Sequence, residues 1–289
     1  MHRLSGLRLV AIGSVVAGLL AAGSATPVAA VSTSNSNPNN YLALGDSVPF
    51  GYDPLLVQQG VSPDVFVGYP QLASDLFRPR LKVFDAACPG ETSTSLITGT
   101  RPDNGCQNYR DVIGALHVSY SGSQLGYAES YVAANPRTKF VSLMIGANDL
   151  FRLQDSCQGT SDVPACLVAG LPALLTTLAG NLTTIYSGLR AAGFTGDFVA
   201  VTYYSLDYAD PVTTGAIGAL DQVLAHVTRA FGGKVADGFG AFEAATVASG
   251  GDSCAAGLLI RLSATTCDVH PSQAGAALLA SAVHVAEGS

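Results

Sequence analysis

Tyr41-Leu-Ala-Leu-Gly-Asp-Ser47, continuing as Val-Pro-Phe-Gly51, is the stretch that decides how this 289-residue chain is read. Four consecutive apolar residues leave neither face polar, as in a strand buried on both sides of a parallel sheet. Gly45-Asp46-Ser47 then reads as a tight turn that leaves a serine hydroxyl at the strand's end. Working outward, further strands are expected at Leu81–Phe84, Lys139–Ile145 and Phe198–Tyr203. Between and after them, helical periodicity predicts helices over Tyr69–Phe77, Gln124–Ala134, Leu171–Ala192 (stopped by Gly193), Gly218–Phe231 and Ser272–Val285. Strands alternating with helices predict an α/β fold, a parallel sheet with helices on both faces. In such a sheet the chemistry sits on loops beyond the carboxyl ends of the strands.

Upstream, the chain opens as an export signal. Arg3 and Arg8 precede an apolar run from Leu9 to about Ala22, and small residues close it at Val28-Ala29-Ala30. That order of charged, apolar and small residues marks a cleavable secretory peptide, residues 1–30. The polar stretch 31–40 reads as a flexible leader, and 41–289 as one domain. Beyond Tyr41 no segment is expected to be long and apolar enough to span a bilayer. The formal net charge is −7; losing Arg3 and Arg8 with the signal, and no acid, takes it to −9. An acidic chain without runs of Lys or Arg is a poor partner for nucleic acid or an anionic membrane, and stable membrane insertion is not expected. Nothing in the sequence demands more than a monomer.

Six cysteines in an exported chain argue for disulfides. They form three local couples, which predicts Cys88–Cys106, Cys157–Cys166 and Cys254–Cys267. A zinc site is disfavoured by the lack of any CxxC pair or neighbouring His cluster, so no metal is expected.

Three motifs carry candidate chemistry. Ser47 follows a strand, and a helix starting just after it would aim backbone N–H groups at a developing oxyanion. A second Gly-Asp-Ser, Gly251–Ser253, follows no buried strand and reads as a loop turn. Asp268-Val269-His270-Pro271 places an acid and a histidine two apart before a helix. In an extended segment alternate side chains turn to one side, so Asp268 can hold the tautomer of His270. His117 is expected in a loop, and His226 and His284 fall within expected helices without a motif. Asn148, in Gly146-Ala-Asn-Asp149 after the third strand, offers an amide to an oxyanion; losing one such donor typically costs about 10²–10³ in turnover. Gly90, after the second strand, would let its N–H approach a substrate closely. Asp46 and Asp149 are given structural roles, holding their loops through backbone N–H groups.

Taken in order, GDS, a glycine after the second strand, GxND and a C-terminal acid and histidine resemble the SGNH (GDSL) hydrolases from Tyr41 to Val285. GDSVPFG also fits the family's GDSxxxG through Gly51, and no GxSxG elbow of ordinary α/β-hydrolases is present. The resemblance implies a three-layer α/β/α sandwich of flavodoxin-like type. It implies Ser47 as nucleophile, His270 as base, and an oxyanion hole built from the N–H groups of Ser47 and Gly90 with the Asn148 amide. With three local disulfides, the chain looks like the secreted actinobacterial lipases and esterases of this family. One departure stands out. The family's last block is usually DxxH, whereas here Cys267 occupies the acid's position and Asp268 lies one residue nearer. Either Asp268 or a backbone carbonyl of that loop orients His270.

The expected reaction is cleavage of a small-molecule or lipid ester through an acyl-enzyme on Ser47, without a cofactor. Apolar residues flank the motifs: Val48, Pro49, Phe50, Tyr52, Leu55 and Leu56 after the serine, and Leu150, Phe151 and Leu153 after Asn148. About half are expected to line a cleft and the rest to belong to the core. Polysaccharide O-deacetylation ranks second, weakened by the absence of Trp. A secreted binding module that has lost its chemistry is the alternative from another class.

Overall fold

The computed structural model describes residues 38–113 and 115–288. The export signal and the leader as far as residue 37 lie outside the described residues.

β1 (Asn40–Gly45) is buried along its whole length, and it opens one residue inside the stretch expected as leader. It pairs with β2 (Lys82–Asp85) on one side and β3 (Phe140–Met144) on the other. β4 (Asp197–Val201) and β5 (Lys234–Ala236) complete a parallel sheet of order β2-β1-β3-β4-β5. Leu42 lies opposite Phe84 and Val141, and Leu44 opposite Leu143. All five residues of β3 are buried, as are Phe198–Val201 of β4, which is why these strands are apolar on both faces. One helical layer holds Tyr69–Leu76, Gly238–Thr246 and Gln273–Gly288. The other holds Ser93–Thr98, Gln124–Ala134, Ala147–Cys157, Val163–Ala191 and Pro211–Ala230. The fold is thus the expected three-layer α/β/α sandwich. Its strand order reverses between β1 and β3, where a doubly wound sheet opens a crevice beyond its carboxyl edge.

Several elements extend beyond the expectation. The helix expected from Leu171 starts at Val163, where Asp162 accepts from the Ala165 N–H and Pro164 occupies the first turn. The helix expected from Gly218 starts at Pro211, capped by Asp210 in the same way. Ala147–Cys157 is a helix because Gly146, at φ 125°, turns β3 directly into it. β5 is only three residues long and has too little pattern to read. The expectation about apolar length is corrected. Val163–Ala191 is long and apolar enough to cross a membrane by length and composition, with mean hydropathy 1.8. Its Thr, Gly and Asn residues look polar one by one, but no charged side chain occurs between Asp162 and Arg190. In this fold its C-terminal half buries Leu178, Leu182, Ile185, Tyr186 and Leu189 in the core.

Outside the main sheet, β6 (Leu259–Arg261) and β7 (Cys267–Pro271) pair antiparallel. The three disulfides join the expected couples, with Cα–Cα separations of 5.5, 5.8 and 5.8 Å.

Candidate active site

Ser47 is delivered by the end of β1. Gly45 adopts φ 138°, and a Cβ there would lie 2.1 Å from the Met144 carbonyl oxygen, so only glycine fits the turn. Buried Gln124 receives the Gly45 N–H at 2.7 Å and donates to the Gly45 carbonyl at 2.9 Å, standing in for a peptide group beyond the strand end. Asp46 caps the one-turn helix Ser47–Phe50 by accepting from the Val48 N–H at 3.0 Å.

His270 arrives from the opposite end of the chain on β7. Its Nε2 lies 2.7 Å from Ser47 Oγ. Nδ1 is hydrogen-bonded to the Asp268 carboxylate, which also receives the His270 backbone N–H at 3.0 Å. A carboxylate only accepts, so Nδ1 carries the proton and Nε2 is left to accept from the Ser47 hydroxyl. Burial raises the Asp268 pKa, but the hydrogen bond and charge of His270 and two backbone N–H groups outweigh it, leaving the carboxyl below its ordinary range. β7 is held at three points. The Tyr204 hydroxyl donates to the Val269 carbonyl at 2.8 Å, Cys267 is tied to Cys254, and Ser272 Oγ donates to the Gly257 carbonyl at 2.7 Å. The Tyr52 ring lies 4.8 Å from the imidazole.

Asn148 sits in the first turn of Ala147–Cys157, buried, with Nδ2 3.5 Å from Asp46 Oδ2. Ser47, Asn148 and His270 line one cavity of about 350 Å³. Its walls are apolar: Leu150 and Phe151 from one helix, Leu167 and Leu171 from another, Ile217 from a third, and Val269. Of the apolar residues that flank the motifs, Leu150 and Phe151 line this cavity, Val48, Pro49 and Phe50 are buried away from it, and Leu55 and Leu56 line a separate hollow. Gly90 is not in the cavity wall. It forms a left-handed turn at φ 84°, with its carbonyl bonded to the Asn104 N–H at 2.7 Å. Asn104 in turn donates to Asn148. Among the other described histidines, His117 contacts the Phe50 carbonyl, and His284 packs on Phe77. Ser253 is wholly buried and donates to the Ser205 carbonyl at 2.7 Å, as a structural turn residue does.

The model of the GDSL-like lipase/acylhydrolase family matches residues 43–278. The chain belongs to that family. Membership makes it a carboxylic ester hydrolase by class. No curated protein matches it significantly. Among solved structures, a phospholipase A1 from Streptomyces albidoflavus is similar at 20% identity and a TM-score of 0.54, covering 86% of this chain and 99% of that one. An acetylxylan esterase from Geobacillus stearothermophilus is similar at 17% and 0.53, covering 87% and 94%. A lipase from a goat rumen metagenome is similar at 13% and 0.53, covering 86% and 96%. At these identities the likeness concerns the fold.

Within this GDSL hydrolase, several polar residues near the site carry no motif and were not singled out from sequence. The Tyr203 hydroxyl donates to Asp46 Oδ2, and buried Asp221 receives the Tyr203 N–H at 2.8 Å. Burial pushes Asp46 up to about 6, against the Tyr203 hydroxyl, the Val48 N–H and His270, and pushes Asp221 up to about 8. Asp149 accepts from Ser93 N at 2.8 Å and Ser93 Oγ at 2.7 Å, pinning the start of helix Ser93–Thr98 in the structural role expected of it. The donors Cys88, Glu91 and Cys106 cluster together, but both sulfurs are spent in a disulfide and offer no thiolate to a metal.

Proposed function

We propose that this family member is an exported serine esterase or lipase acting on carboxylic esters with an extended acyl chain. One observation carries the reading: the Asp268–His270–Ser47 hydrogen-bond chain opens onto an apolar cavity. In the proposed cycle His270 Nε2 takes the Ser47 proton as Oγ attacks the ester carbonyl. The Ser47 N–H and the Asn148 amide receive the oxyanion, while the Gly90 turn, outside the cavity wall, supports Asn148 only through Asn104. The imidazolium, stabilised by Asp268, then protonates the leaving alcohol. Water, activated by the same imidazole, releases the acid from the acyl-enzyme.

For the substrate, the cavity volume falls at the lower end of ordinary ligand pockets, about 300–1,000 Å³, and its walls suit a hydrocarbon chain better than a sugar. Val168, Val212 and Leu206 stand 69%, 50% and 41% exposed at that same cavity, so its rim is apolar as well. Three disulfides suit an oxidising compartment and so support export.

Hydrolysis of p-nitrophenyl esters from acetate to palmitate, beside acetate release from acetylated xylan, tests the reading. Rates should rise beyond acetate and vanish in Ser47→Ala. Equal background rates for both proteins would mean a binding module; a preference for acetylated xylan would mean a deacetylase.

A further inference from the structure

Asn104 lies on an exposed turn within the loop closed by Cys88–Cys106, in no motif. Its Nδ2 is 3.3 Å from the Asn148 backbone carbonyl oxygen and 3.1 Å from Asn148 Oδ1. The identity of these atoms follows from chemistry. A backbone carbonyl only accepts, so the Asn104 atom facing it must be the amide nitrogen. The Asn148 side-chain atom facing that same nitrogen must then be its oxygen. The Asn148 NH₂ is thereby turned the other way, toward Asp46 Oδ2 at 3.5 Å and the cavity it shares with Ser47. That long contact restrains the amide weakly, whereas Asn104 holds both oxygens of Asn148. The same residue reaches Gly90. The Asn104 N–H donates to the Gly90 carbonyl at 2.7 Å, and a Cβ on Gly90 would lie 2.4 Å from the Asn104 carbonyl oxygen.

Resting on the hydrolase reading above, we propose that Asn104 is a positioning residue of the oxyanion hole. It locks the Asn148 carboxamide with its donor end facing the reacting carbonyl and couples that donor to the Gly90 turn. Without it the amide rotates, and part of its population presents an oxygen or a misaligned N–H to the developing negative charge. The tetrahedral intermediate is then weakened more than the bound ester, because a donor aimed at the oxyanion acts mainly in the transition state.

Asn104→Ala removes the donor and keeps the backbone bond to Gly90. Since complete loss of an oxyanion donor costs about 10²–10³, kcat on p-nitrophenyl butyrate should fall by roughly tenfold to a hundredfold, with KM nearly unchanged. Affinity for butylboronic acid, whose tetrahedral adduct places an oxygen in the hole, should fall by the same factor as kcat/KM. Asn104→Asp, similar in shape and without the donor, should behave likewise and serves if the alanine variant does not fold. In an Asn148→Ala background neither change should lower kcat further, because the group being positioned is gone. Wild-type kcat and boronate affinity in Asn104→Ala would overturn the proposal, and so would an equal loss in the Asn148→Ala background. The hydrolase reading fails separately, if the wild-type protein and Ser47→Ala both show only background hydrolysis.

Discussion

Replacing Asp268 by Asn keeps the side chain's size and removes its charge. In the native site Asp268 is the partner of His270 Nδ1 and also accepts the His270 backbone N–H. An amide can turn its NH₂ toward Nδ1, which moves the ring proton to Nε2, where it faces Ser47 Oγ and blocks general-base action. The magnitude can be built from two parts. A hydrogen bond to a charged group is worth about 1.5–3 kcal/mol, and at 1.36 kcal/mol per factor of ten that is roughly 10–150-fold in rate. The wrong tautomer adds to this, and the same substitution in the serine-protease triad costs about 10⁴. Asp268→Asn should therefore lower kcat on p-nitrophenyl butyrate by about 10²–10⁴ with KM little changed. The assay is steady-state kinetics normalised by active-site titration, with Tm recorded to separate misfolding from mispositioning. A correctly folded variant with near-native kcat would rule out this role for the carboxylate and hand the orienting role to a backbone carbonyl.

Ser253→Ala should leave activity intact and cost about 1 kcal/mol of stability, the typical net worth of one internal hydrogen bond; thermal melts with parallel assays check both. Ala216 lines the cavity beside Ser47, so on the proposed acyl-chain reading Ala216→Phe should reduce the preference for long over acetyl esters. With a buried methylene worth about 0.8 kcal/mol, roughly fourfold in kcat/KM is lost for each one excluded, and an unchanged chain-length profile would remove this cavity from the binding site. Asp221 is buried, with Oδ2 unpartnered among the described residues, and its carboxyl is raised to about 8. A raised carboxyl stays protonated in the folded state while the unfolded chain ionises. Its stability contribution is therefore present at acid pH and lost as pH rises from about 4 to about 8, by at most about 1.4 kcal/mol per pH unit. Asp221→Asn should accordingly gain Tm relative to the native protein on going from acid to alkaline buffer, and parallel pH dependences in the two proteins would show that this carboxyl is ionised in the fold.

Much of the scaffold was legible because its signals are local. The apolar run Tyr41–Leu44 reads as a doubly buried strand without knowledge of its neighbours, and so do the cores of β3 and β4. The three disulfides were legible because each closes a short loop. The starts of Val163–Ala191 and Pro211–Ala230 are also written in the sequence: Asp162 with Pro164, and Asp210 with Pro211, are helix-start signals. β5 was not legible, since three residues carry too little periodicity.

Local pattern was enough for the class of fold, the serine at the end of β1 and the asparagine after β3; it put Asp268 and His270 on one side of an extended segment but left open whether that carboxylate or a backbone carbonyl orients the ring, which the structure answers with the Asp268 contact. Strand pattern and two-residue alternation are written in neighbouring residues and need no partner from afar. That Ser47 and His270, 223 residues apart, meet is a fact of the folded chain alone. The tertiary structure also decided which apolar side chains wall the cavity, and that Asn104, Tyr203 and Tyr204 hold the site in place. Those contacts join residues that share no local pattern, and their geometry exists only once the parallel sheet brings the carboxyl ends of its strands together and closes β7 against them.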